Sequence, residues 1–237
     1  MGHKKLIRFE AIKSFPNVLQ YPPGMAGKWH TFFRNDHPIT LELACGKGEY
    51  TLGLGSRNPG RNYLGVDLKG NRIWAGAKKA LEAGLTNVAF LRTQIEQIAQ
   101  YFDHNEVDEI WITFPDPQLR ISKAKKRLTH PRFLRLYQQF LRPGGYIHIK
   151  TDSPTLYRFT RRVIDLYGCQ RVKDLDDVYR ETDIPEALQI KTYYESLDIA
   201  GSKKVHYLCF SLPEQLAGSE RDQALQEILR HEETGTD

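Results

Sequence analysis

The chain has 237 residues, 40% of them hydrophobic and 27% charged, with a net charge of +5. That length can bury the core of one α/β domain, and the composition excludes disordered and fibrous classes. No run reaches the roughly 18 apolar residues of a membrane span. Cys45, Cys169 and Cys209 lack metal-ligand or disulfide-framework spacing. The expectation is a cytoplasmic protein with reduced thiols, no metal site and no membrane partner.

Charge is spread unevenly. Residues 1–38 hold six Lys/Arg against two acids, whereas 213–237 hold two against seven. With Pro16, Pro22, Pro23 and Pro38 and little periodicity, 1–38 reads as a basic, partly irregular arm. Met1-Gly2-His3-Lys4-Lys5 lacks the apolar region of a signal peptide. Residues 39–212 read as the folded domain and 213–237 as an acidic C-terminal helix or tail.

The domain opens with a β-branched and apolar run, Ile39 to Leu43, that stops at Gly46 and Gly48 before an amphipathic segment. This is the pattern of buried strand, tight turn and helix start. Glycine lets the backbone reverse and come close to a ligand, and the helix start offers free N–H groups. A helix over about 48–57 ends at Asn58-Pro59-Gly60. A second strand closes on Asp67, and Ile73, Trp74, Ala77, Ala80 and Leu81 keep helical spacing up to Gly84. Third and fourth strands are predicted at 87–91 and 108–114, with a short helix after Gln94. A helix capped by Thr129 follows, carrying Phe133, Leu134, Tyr137, Phe140 and Leu141 on one side. Pro143-Gly144-Gly145 turns into a fifth strand, 146–150. Beyond it come a helix over 153–167, a long loop near 179–196 and a last strand at 205–212. Strands alternating with helices in this way predict a Rossmann-like, doubly wound and mainly parallel sheet with helices on both faces. Ligands bind such sheets at the C-terminal strand ends.

Five groups of residues carry candidate chemistry, the first four at or beside that edge. Glu42, Gly46, Gly48 and Asp67 suit an adenosine-bearing ligand, with Asp67 placed to grip a ribose diol. A dinucleotide motif wants a third glycine at position 51, which is Thr51. The acids and the missing glycine together point to S-adenosylmethionine rather than NAD. In Phe114-Pro115-Asp116-Pro117, two prolines hold the backbone extended around one carboxylate, which is either a stiff turn or the mounting of a catalytic group. Residues 118–135 contain Arg120, Lys123, Lys125, Lys126, Arg127, Arg132 and Arg135 and no acid. Seven unneutralised cations suit a phosphate backbone. Asp152 closes the fifth strand. Thr192 and Glu195, three apart, fit a capping box as well as a binding role.

These motifs, in this order over about residues 39–212, resemble the bacterial tRNA (guanine-N7-)-methyltransferases. The most specific part is Phe-Pro-Asp-Pro followed by the basic run ending Lys-Lys-Arg-Leu-Thr. The resemblance implies a class I methyltransferase fold and methyl transfer from S-adenosylmethionine to N7 of a guanine in the tRNA variable loop. Glu42, Gly46, Gly48, Asp67, Gln94 and Asp116 would then hold the cofactor, with Asp116 also the active-site residue. Arg120, Asp152, Thr192, Tyr193, Tyr194 and Glu195 would contact the target nucleotide, and Lys123, Lys125, Lys126 and Arg127 the RNA backbone. The chain departs from the family pattern at Ala44 (usually Gly), Gln94 (usually Asp), Gln118 (usually Trp) and Arg120 (usually Lys). The partner implied is tRNA, with no DNA expected, bound by a monomer or homodimer. A non-catalytic RNA-binding protein on the same fold and a NAD-dependent dehydrogenase are the rival readings.

Overall fold

The computed structural model describes residues 2–198, 201 and 203–234. Met1 and 235–237, at the ends of the expected arm and tail, lie outside the described residues. Among the described residues, eight strands form one sheet: β1 (Val18–Gln20), β2 (Ile39–Leu43), β3 (Asn62–Asp67), β4 (Val88–Arg92), β5 (Val107–Thr113), β6 (Leu141–Thr151), β7 (Gln170–Leu175) and β8 (His206–Ser211). Their order is β1-β4-β3-β2-β5-β6-β8-β7. All neighbouring pairs are parallel except β6–β8 and β7–β8. The chain runs outward from β2 to β4 on one side, then starts again at β5 on the other. The switch point therefore falls between β2 and β5, where the loops after Leu43 and Thr113 part.

Burial follows from this layering. β2 and β3 are buried at every position, as strands covered on both faces must be. On one face, α3 (Glu49–Arg57) and α4 (Gly70–Glu82) pack Tyr50, Leu54, Ile73 and Ala77 with Phe90, Trp111, Leu188 and Ile190. The other face carries α2 (Trp29–Phe33), α5 (Pro131–Tyr137), α6 (Pro154–Leu166) and α7 (Ser219–Thr234) over Leu41, Leu43, Leu64 and Ile110. Cys45, Cys169 and Cys209 are free and buried.

Residues 1–38 depart from the irregular arm expected. Gly2–Ala11 form α1, which lies on α4 with Arg8 4.7 Å over the Trp74 ring. β1 lengthens the sheet beside β4, and Trp29 is fully buried, its indole N–H donating to the Tyr101 carbonyl at 2.8 Å. A three-residue strand has no readable alternation, so its pairing with β4 is settled only by tertiary contact. The edge strand β7 was likewise not expected. Leu141–Thr151 is one strand in which Pro143-Gly144-Gly145 bulges out: Val107 pairs with Leu141, but Glu109 already pairs with Tyr146. His130, not Thr129, caps α5 by accepting from the Arg132 N–H. Thr129 is buried and shares a hydrogen bond with Thr160 instead.

Candidate active site

Five loops at the C-terminal strand ends enclose a cavity of about 790 Å³. Ala44 lines it after β2, Asp67 to Lys69 after β3, Thr93 to Glu96 after β4, Phe114 to Pro117 after β5, and Asp152 and Ser153 after β6. Tyr194 joins them from the long loop before β8.

The glycine turn is tight. Ala44, Gly46 and Gly48 all have positive φ, at 56°, 57° and 69°. Ala44 therefore carries the strain that glycine would avoid. A Cβ on Gly48 would come within 2.5 Å of the Phe90 ring. Asp67 ties the turn to the next loop, accepting from Gly46 N–H at 2.9 Å and Lys69 N–H at 2.8 Å.

Glu42 is placed differently from the expectation. It is only 3% exposed and does not line the cavity. One carboxylate oxygen accepts from the Thr51 backbone at 2.8 Å and from the Thr51 hydroxyl, and the other from the Thr113 hydroxyl at 2.8 Å. Glu42 thus anchors the first turn of α3 from behind the glycines. Burial pushes its pKa up to about 7, against the opposing pull of the Thr51 and Thr113 hydrogen bonds.

Asp116 projects into the cavity with its carboxylate exposed. Left-handed residues stand on both sides, Phe114 at φ 46° and Gln118 at φ 47°. The Gln118 N–H donates to one Asp116 oxygen at 3.0 Å. Behind this loop lies Arg127, which the sequence assigned to the RNA backbone. It is 2% exposed, and its guanidinium donates to the carbonyls of Pro117, Gln118 and Leu119 while stacking over Phe159 at 4.5 Å. Arg127 clamps the Asp116 loop and faces no solvent. Lys123, Lys125 and Lys126 are exposed, and Lys126 reaches the cavity wall. Arg120 is exposed outside that wall. Nothing in the local sequence separates Arg127 from Lys126; the distinction is burial.

Of the four residues from 192 to 195, only Tyr194 lines the cavity. Thr192 and Glu195 form the reciprocal capping pair, Glu195 N–H to Thr192 Oγ1 at 3.1 Å and Thr192 N–H to Glu195 Oε2 at 3.3 Å. The Glu195 carboxylate also meets the buried Lys150 ammonium at 3.0 Å and accepts from the Tyr179 hydroxyl, so its oxygens are engaged within the protein. Tyr193 lies under Lys47, 3.8 Å from the ring, and Tyr194 has Arg72 5.5 Å from its own. Both contacts bind the long loop to the glycine turn and α4. Gln94 and Asp152 line the cavity, as do Thr93, Arg72 and Phe133, which the sequence did not single out. Phe133 was legible only as an apolar helix position.

A family model described as "Putative methyltransferase" matches residues 36–208. The chain is 49% identical, over 86% of its length and 87% of the relative's, to a tRNA (guanine-N(7)-)-methyltransferase of Porphyromonas gingivalis. It is 45% identical to that of Bacteroides thetaiotaomicron, over 91% and 88% of the two chains. The 16S rRNA methyltransferase KamB shares the fold, with a TM-score of 0.60 at 16% identity over 83% of this chain and 99% of that one.

Proposed function

The chain belongs to the tRNA (guanine-N(7)-)-methyltransferase family, and on that premise we propose that it methylates N7 of a guanine in the tRNA variable loop, using S-adenosylmethionine. The observation that carries this reading is the one cavity onto which Asp67, Asp116, Asp152 and Tyr194 all open. That substrate makes the cytoplasm its place of action.

The residues around the glycine turn fit the cofactor. A side chain at Gly48 would strike Phe90, so the backbone there stays bare for a close ligand. Asp67 accepts one backbone N–H on each oxygen, which leaves lone pairs for two ribose hydroxyls. Gln94 stands on the same wall, where its amide suits the adenine without adding charge. When bound, S-adenosylmethionine supplies an electrophilic methyl group on a sulfonium centre.

N7 of neutral guanine already has a free lone pair, so no side chain must remove a proton before attack. The protein's task is orientation and charge. Asp116 lines the cavity with one oxygen bonded to Gln118, which leaves the other to accept from the Watson–Crick edge of guanine. The purine becomes cationic as N7 is alkylated, and the Asp116 and Asp152 carboxylates lower the energy of that charge. Pro115, Pro117, Leu128 and Phe133 exclude water from the walls, which strengthens the effect. Holding the base in line contributes through proximity.

Methyl transfer to unmodified tRNA tests the reading. Asp116→Ala and Asp116→Asn should each lower kcat on the order of 100-fold. The folded protein should melt as before, because the side chain is exposed. Near wild-type turnover in both variants would remove Asp116 from the active-site role.

A further inference from the structure

The outer face of α6 carries an open groove of about 640 Å³, completed by Arg221 and Ile228 of α7. Arg158, Arg161, Arg162 and Arg221 line it, against one acid, Asp165. Asp165 is engaged by Arg171, while Arg161 shares Asp174 at 3.1 Å. α6 packs through Leu156, Tyr157, Phe159, Thr160, Val163 and Ile164. A solvated helix face usually alternates charge signs, because like charges three or four apart destabilise the helix. On this face Arg158, Arg161 and Arg162 precede a single acid, Asp165.

Its position relates it to the cavity. α6 begins at Pro154, directly after Asp152 and Ser153 of the cavity wall, and its 13 residues extend about 20 Å. The far flank of α7 has a second crevice, of about 500 Å³, lined in part by Lys125, Arg132, Arg230 and the Arg135–Asp222 pair. α7 itself is acidic, so the basic 120–127 loop and the α6 groove form two separate cationic patches that flank it. A small anion would be satisfied by one such patch; two patches on one molecule suit a long polyanion. The groove lies between two helices, a concave shape that fits a strand of phosphates better than a flat bilayer. Guanidinium groups also bind phosphate oxygens bidentately, which the lysines of the 120–127 loop cannot.

We propose that the α6–α7 arginine groove is a second RNA-backbone subsite, seating phosphodiesters of the tRNA body while the target guanine occupies the cavity. It rests on the tRNA reading above. Arg158 and Arg221, both exposed, are the residues to change.

The experiment measures methylation of unmodified tRNA from 50 to 200 mM salt for wild type, Arg158→Gln/Arg221→Gln and Arg158→Lys/Arg221→Lys. The glutamine variant should show a tRNA KM raised about tenfold, and a log–log salt dependence shallower by about two, one for each phosphate left without its arginine. The lysine variant, which keeps both charges, should recover most of the salt slope. Thermal melting of each variant reports whether the fold survives. Unchanged KM and slope in a folded glutamine variant overturn the subsite while leaving the methyltransferase reading intact. Weakened binding to anionic vesicles with tRNA kinetics unchanged overturns it too, in favour of a membrane surface. If the wild type methylates no tRNA, the failure is that of the reading beneath.

Discussion

Glu42 shows how one residue's environment changes its meaning. An acid at the end of the first domain strand looks like a ligand to an adenosine; in the fold, hydroxyl and N–H donors of Thr51 and Thr113 surround it, and burial raises its pKa from the ordinary 4.5 to about 7. Between those two values the folded chain holds a proton that the unfolded chain has released. The stability that Glu42 contributes is therefore whole below pH 4.5 and is lost as the pH rises through 7. Glu42→Gln keeps the acceptor and removes the charge. From pH 4.5 to 8 the wild type should lose on the order of 3 kcal/mol relative to this variant in urea unfolding. Parallel curves would show that Glu42 does not titrate in this range. Arg127 makes the complementary case: a cation inside a basic run, it is engaged by three carbonyls of the loop that presents Asp116. Fully solvated, it would have served a phosphate instead.

At the scale of elements, the segment between β7 and β8 depends on Lys150. This ammonium, wholly buried at the end of β6, donates to the Leu188 carbonyl at 2.9 Å, the Ile190 carbonyl at 3.1 Å and the Glu195 carboxylate at 3.0 Å. Burial lowers the Lys150 pKa, and Glu195 opposes the shift. All three N–H donors are thus used to fasten a mostly irregular loop to the sheet, and Tyr194 reaches the cavity from that loop. Lys150→Met should destabilise the protein by about 3–5 kcal/mol, because it strands a buried carboxylate. The tRNA KM should rise along with this loss, as Tyr194 loses its support. Lys150→Met/Glu195→Gln should recover part of the lost stability in chemical denaturation. A double variant as unstable as the sum of its single changes would show that the two groups do not act as a pair.

At the scale of the whole molecule, the sheet gains its outer strand from the segment preceding the family match. β1 covers the edge of β4, an edge that would otherwise present unpaired backbone groups, and Trp29 fills the core against Phe102, with ring centroids 5.3 Å apart. Trp29→Ala should cost about 3–5 kcal/mol. At about 2–4 °C per kcal/mol for a chain of this size, the melting temperature should fall by roughly 10 °C. An unchanged melting temperature would mean that residues 1–38 add nothing to the folded unit.

The sequence alone determined the parallel α/β sheet, the glycine turn after β2 and the exposed mounting of Asp116. Each of these is written in local terms: β-branched runs of strand length, glycines where the backbone must reverse, prolines that fix φ on either side of one carboxylate. Tertiary structure decided which charges remain available. Glu42, Arg127, Lys150 and Glu195 look like their exposed neighbours in the sequence, but they are buried among partners as many as 71 positions away, and those partners occupy them. Burial depends on what packs across the sheet, and neither residue type nor spacing encodes it.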